Sequence, residues 1–261
     1  MTAKCAPHRH SSSRSGNRSG KVECAYCGVR DKAACRGLSD SGQAEANTVS
    51  YRKVVPQGGV ILREGDPVAW CGVIVSGVVK LVKTSSDGRQ QIVGLQFGDE
   101  FLGQPFEQSW RLSAEAATDV DICCFSQGAF DGLRGRNPAF EGALLQDAMG
   151  SLDAARDWMF VLGRKTAEEK LASFLVFIAE RLGPGKSGAK GVQHVTGGVA
   201  FDGELPLSRT EISQFLGLRI ETVSRQFKKL KALGLVDTSG NRGIRILNLD
   251  RLRELSESEL A

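Results

Sequence analysis

Cys24, Cys27 and Cys35 crowd into a dozen residues of a chain with seven cysteines in all. An odd count argues against a fully paired disulfide framework. The polar, Ser-rich start has no apolar run of the export-signal kind, so the thiols are expected to stay reduced in a cytoplasmic protein. Clustered reduced thiols bind metal or do chemistry. A Cys-x-x-Cys pair with two further Cys or His ligands suits tetrahedral zinc, for which Cys5, His8 and His10 are within reach in sequence. A thiol oxidoreductase would place Cys24 and Cys27 at a helix start in a βαβ unit, and this region has no such pattern. Elsewhere, Cys71 lies in an apolar strand run and reads as core. The doublet Cys123-Cys124 offers only one thiol to either face of a sheet, because strand neighbours point to opposite sides.

A second constellation lies near the C-terminus. Glu221, Ser224, Arg225 and Lys228 recur at steps of three and four and share one helical face, while Val223, Phe227 and Leu230 line the other. On a helix lying in the major groove, Arg binds guanine O6 and N7 and Glu accepts from cytosine N4, so Glu221 and Arg225 suit one G·C pair with Ser224 beside them. The same two residues could instead form a solvated ion pair worth about 0.3–0.5 kcal/mol. Charge distribution favours recognition. From Pro206 to Arg253, ten basic residues (Arg209, Arg219, Arg225, Lys228, Lys229, Lys231, Arg242, Arg245, Arg251, Arg253) face four acidic ones (Glu211, Glu221, Asp237, Asp250). The whole chain carries only +4.

The elements that must position these groups follow from pattern. With 261 residues, 41% of them hydrophobic, the chain can build a core and a smaller second domain, and no apolar stretch is long enough to span a membrane. Residues 1–20 are Ser- and Gly-rich and expected to be disordered; residues 21–48 hold the cysteine segment. Over 49–135, short Val/Ile/Leu runs alternate with turn signals such as Ser86-Asp87-Gly88, which predicts an antiparallel β jelly roll. Residues 136–163 read as one long helix. Leu145, Ala148, Leu152, Ala155, Met159 and Leu162 fall at alternating threes and fours, the seam of a helix that pairs with its twin in a homodimer. Thr166 to Glu169 is a capping box opening the next helix, and Gly183 to Gly203 reads as a loop with one short strand around Val195 to Phe201. Within 164–255, Glu211 to Leu218 is a helix running into a glycine turn, and Ile220 to Leu233 is a second helix. A hairpin follows as a wing, with Arg242 at its turn expected on phosphate; Lys228, Lys229 and Lys231 suit the same role. The fold class is α+β. No Walker loop or His-Glu-x-x-His pair is present, so an enzyme is not expected.

An antiparallel roll, a dimer helix and a winged helix-turn-helix, in that order, resemble the CRP/FNR superfamily of bacterial transcription regulators. Glu221-Thr222-Val223-Ser224-Arg225 matches the Glu-x-x-Ser-Arg recognition motif of the FNR branch, which reads a TTGAT-type inverted repeat in double-stranded DNA. Arg219 stands where the best-known members have a threonine before the recognition helix, which forgoes an N-cap hydroxyl and offers a phosphate contact. The position matching the phosphate-gripping Arg of cyclic-nucleotide sensors falls on Trp110, with Arg111 one residue out of register, so cyclic-nucleotide sensing is not expected. Cys24-Ala25-Tyr26-Cys27, then Cys35, then a cysteine in the roll, resemble the oxygen-sensing members that hold a [4Fe-4S] cluster, in the longer FnrL-type spacing. Aligning the family's strand puts Cys123 at the fourth ligand position. The resemblance also implies contact with RNA polymerase through a turn such as Thr84 to Arg89. The alternative is a regulator sensing a different small molecule, with structural zinc on the N-terminal cysteines.

Overall fold

The short apolar runs fold into antiparallel strands. The computed structural model describes residues 24–183 and 199–257; the leader with Cys5, His8 and His10, and positions 184–198 of the Gly-rich loop, lie outside them. After two 3₁₀ turns, Cys24–Tyr26 and Ala34–Gly37, comes α1 (Asp40–Val49), which the sequence analysis did not anticipate. Its signal is local: the Ser39 hydroxyl caps it by accepting from the Gly42 N–H.

Eight strands make the roll: β1 (Ser50–Val55), β2 (Val60–Leu62), β3 (Trp70–Ser76), β4 (Val79–Thr84), β5 (Gln90–Gln96), β6 (Phe101–Leu102), β7 (Ser113–Ala116) and β8 (Val120–Ser126). They form two four-stranded antiparallel sheets, ordered β1-β8-β3-β6 and β2-β7-β4-β5. Ile61, Ile74, Val79, Ala114 and Ile122 close one core between them. Trp110 is part of that core, 4% exposed, with its ring 6.1 Å from that of Trp70. A packed indole therefore occupies the position that the resemblance matches to the arginine of cyclic-nucleotide sensors.

Two helices follow the roll, α2 (Gln127–Arg136) and α3 (Pro138–Arg164). At about 1.5 Å per residue, the 27 residues of α3 reach roughly 40 Å. Only Phe140, Ala143 and Val161 of α3 are fully buried. Leu145, Leu152 and Met159 are 64%, 43% and 72% exposed; Ala148 and Ala155 are exposed with them and Leu162 is half-buried. The heptad seam is thus an open apolar stripe on a single chain.

The C-terminal unit comprises α4 (Ala167–Leu182), β9 (Phe201–Glu204), α5 (Arg209–Leu216), α6 (Ile220–Ala232), β10 (Val236–Ser239), β11 (Gly243–Ile246) and α7 (Leu249–Glu257). Both halves of the Thr166–Glu169 capping box form. Of the strand expected around Val195 to Phe201, positions 195–198 lie outside the described residues; the described strand, Phe201–Glu204, joins the hairpin as the outer strand of a three-stranded sheet, order β10-β11-β9. Ile246 opposes Phe201 and Ile244 opposes Gly203.

Roll and C-terminal unit are joined by a shared core and by charge. Phe97 of the roll packs edge-on to Phe177 of α4 at 5.4 Å, and Trp158 of α3 packs on Phe177 at 5.4 Å and on Phe215 of α5 at 4.5 Å. Lys80 of β4 reaches Glu211 of α5 at 2.6 Å and Glu115 of β7 at 3.0 Å. Burial alone would push the Glu211 carboxyl up, but hydrogen bonds from Lys80 and Ser208 outweigh it and the net shift is down. A carboxyl with a depressed folded value stabilises above its ordinary value of 4.5 and loses that contribution as pH falls through the folded one. Replacing Glu211→Gln should therefore cost about 1–3 kcal/mol in urea unfolding at pH 7, with the gap from wild type narrowing below pH 4.5. A gap that does not change with pH would show that the carboxylate charge is not what holds the joint.

Candidate functional site

Three of the thiols are held by a wrapping series of turns. The Cys24 N–H donates to Asn47 Oδ1 of α1 at 3.0 Å, the Cys27 N–H to the Cys24 carbonyl at 3.2 Å, and the Arg30 N–H to the Cys27 carbonyl at 3.1 Å. Cys35 lies in the second 3₁₀ turn, which is clamped to the start of α3. Arg36 Nη2 donates to Asp147 Oδ1 at 2.7 Å and to the Ala143 carbonyl at 3.3 Å. Gly37 meets α3 so closely that a Cβ there would lie 2.3 Å from the Ala139 carbonyl oxygen.

The roll provides the fourth thiol. In register, Arg52 of β1 and Val73 of β3 oppose Cys123, while Tyr51 and Gly72 oppose Cys124. The pleat sends Cys124 inward among the roll's core residues and Cys123 outward beside Phe125. Cys24, Cys27, Cys35 and Cys123 line one small cavity of about 20 Å³, partly open to solvent, with Val29, Arg30, Val73 and Phe125 among its walls. Cys71 shares the outer face, fully buried, but does not line this cavity. Among the described residues, no three Cys, His, Asp or Glu side chains converge closely enough to hold a single metal ion.

The electrostatics of the cavity disfavour free thiolates. Burial first, and then the neighbouring Cys123, Cys27 and Cys24, together push Cys35 up to about 12. Burial likewise pushes Cys123 up to about 11, against the pull of the Ser50 hydroxyl and the Arg52 guanidinium. Cys24 is raised by burial and by Cys27, with Arg30 and Arg52 opposing. Neutral thiols in an apolar cavity deprotonate when a bound cationic centre compensates their charge. Four thiols on one cavity, with two arginines at its edge, are a donor set that fits a cluster held by four thiolates, one per iron.

The second site is built on α5 and α6. Ser208 and Glu211 form a capping box on α5, and Gly217 ends it at φ 61°, a left-handed turn that glycine adopts without strain. Val223, Phe227 and Leu230 are buried, whereas Glu221, Arg225 and Lys228 are exposed and Ser224 is half-buried. Arg225 Nη2 lies 3.4 Å from Thr222 Oγ1, and among the described residues no ion pair joins it to Glu221. Arg219 occupies the N-cap of α6 without a side-chain cap bond, as the missing threonine implies. Lys229 pairs with the half-buried Glu168, and Lys231 with the exposed Asp237.

Arg242 is a correction. Expected at the tip of the wing on phosphate, it turns inward. Its Nη1 donates to the carbonyls of Pro206 at 2.6 Å and Ala117 at 3.2 Å, and its Nη2 to Glu211 Oε2 at 3.1 Å. The acceptors come from the roll and from the start of α5, which sequence spacing could not bring to the wing. Arg209, which the motif reading passed over, lies with its guanidinium carbon 3.2 Å from the centroid of the Phe227 ring and supports α6 from behind.

Comparison with known proteins places both regions. A family model described as "Crp-like helix-turn-helix domain" matches residues 169–255, and one described as "Cyclic nucleotide-binding domain" matches residues 52–137. The chain is 43% identical to a probable transcriptional activator of Rhizobium leguminosarum bv. viciae, over 90% of this chain and 93% of that protein. It is 36% identical to the transcriptional activator protein FnrL of Cereibacter sphaeroides, over 88% of this chain and 90% of that protein. The solved structure of FixK2 from Bradyrhizobium japonicum superposes with a TM-score of 0.69 at 31% identity, covering 81% of this chain and 100% of that one. With the roll, the long helix and the winged helix-turn-helix in one chain, and relatives of this identity along nearly all of it, this protein belongs to the CRP/FNR family of transcription regulators.

Proposed function

We propose that this chain is a cytoplasmic, oxygen-responsive regulator of anaerobic gene expression. It acts as a homodimer on a TTGAT-type inverted repeat and carries a [4Fe-4S] cluster on Cys24, Cys27, Cys35 and Cys123. The observation that carries this reading is the single cavity on which three thiols of the N-terminal segment meet one from the roll. The FnrL name of one relative is consistent with it. A cluster bound there supplies sensitivity to oxygen.

The remaining roles belong to the chain's own residues. The Cys35 turn and the seam share α3, through Arg36, Asp147 and the Gly37–Ala139 contact, so a change in how the cysteine segment packs reaches the N-terminal half of the seam. Pairing along Leu145, Ala148, Leu152, Ala155, Met159 and Leu162 covers an apolar stripe that a lone chain exposes, and sets two α6 helices in successive major grooves about 34 Å apart. Glu221, Ser224 and Arg225 face the bases, and Arg219 and Lys228 face the backbone. The exposed Thr84 to Arg89 turn between β4 and β5 offers a surface for RNA polymerase.

Iron, sulfide and zinc per chain, measured in protein purified without air, test the cluster. About four irons and four sulfides are expected, and both should fall in Cys27→Ala together with anaerobic DNA binding. Zinc near one per chain without sulfide would overturn the cluster and leave a DNA-binding protein with a different signal. Arg225→Ala should weaken binding by about 1–3 kcal/mol and relax choice at one base pair, so an equal loss on every sequence would reassign Arg225 to phosphate. Leu152→Glu should yield a monomer in analytical ultracentrifugation and lower site affinity by orders of magnitude through halved valency. A dimer of unchanged strength would move the interface elsewhere.

A further inference from the structure

Ser50 is the first residue of β1 and pairs in register with Phe125 of β8. Directly opposed residues of an antiparallel pair share a face, so Ser50 stands on the outer face of the sheet, diagonal to Cys123 and beside Phe125, both of which line the thiol cavity. Its backbone is committed, since its N–H caps α1 by donating to the Ala46 carbonyl. Its hydroxyl is not. Ser50 Oγ is buried, makes no hydrogen bond to a nitrogen or oxygen, and lies close enough to the Cys123 sulfur to pull that thiol down. Buried hydroxyls find partners in folded proteins, and the acceptor within reach of this one is the Cys123 sulfur.

We infer that Ser50 is a positioning residue whose hydroxyl donates a hydrogen bond to the Cys123 sulfur when that sulfur is a cluster ligand, and so sets how readily the site is oxidised. The inference rests on the cluster reading above. A ligating thiolate is a far better acceptor than a neutral thiol, so the interaction strengthens when the sulfur is a ligand. Hydrogen bonds to ligating sulfurs draw off electron density, favour the reduced state and raise the reduction potential. Losing this one should lower the potential and speed loss of the site to dioxygen, the oxidant.

The test compares full-length wild type, Ser50→Thr and Ser50→Val, purified without air. Thr and Val have nearly the same shape and both suit a strand, so they differ in the hydroxyl alone. Iron and sulfide per chain, the midpoint potential, and the rate at which visible absorbance bleaches in air-saturated buffer are measured for each. Thr should match wild type, while Val should hold the same iron at a more negative potential and bleach several-fold faster. A Val protein that loses its iron while Thr keeps it also supports the inference, because only the hydroxyl separates them. Val and Thr with iron intact and indistinguishable potentials and rates would overturn it while leaving the cluster standing. Absence of iron and sulfide from the wild type itself would overturn the cluster reading, and this inference with it.

Discussion

Phe140, Ala143, Trp158 and Val161 lie along α3 on the face by which that helix holds the rest of the molecule, and what the protein can do follows from that attachment. Near the N-terminal end, Phe140 packs against Phe130 of α2 at 5.9 Å, and Arg36 ties the Cys35 turn to Asp147. Near the other end, Trp158 meets Phe177 and Phe215, one from α4 and one from the first helix of the DNA-reading pair. The opposite face is left apolar and open, with Leu145, Leu152 and Met159 exposed. A helix is a stiff element, so the cysteine segment at one end and the DNA-reading pair at the other are joined through it.

Charge placement reinforces the same joint. Glu211 does three things at once: it closes the capping box of α5, accepts from Lys80 of the roll, and accepts from Arg242 of the wing. Hydrogen bonds to charged partners are worth roughly 1.5–3 kcal/mol when partly shielded from water. The basic surplus of the C-terminal unit is therefore divided between structure and recognition. Arg209 and Arg242 serve packing, while Arg219, Arg225 and Lys228 stay exposed.

The sequence alone determined the order of parts. Periods of two and of three to four residues gave the roll, the long helix and the paired helices, because local geometry decides which side chains share a face. It also limited the Cys123-Cys124 doublet to one thiol per face. It left α1 unseen, since that helix has little amphipathic pattern and rests on one cap at Ser39 and on its packing partners. Tertiary structure decided the rest. Which face of β8 meets the cysteine segment depends on the register against β1 and β3, and which arginines are spent on packing depends on carbonyls and carboxylates from distant elements. Ser50 is the clearest case: in sequence it is an ordinary serine at a strand start, and only the fold buries its hydroxyl beside the Cys123 sulfur. Periodicity is local and legible, whereas burial and partnership are made by segments far apart in the chain.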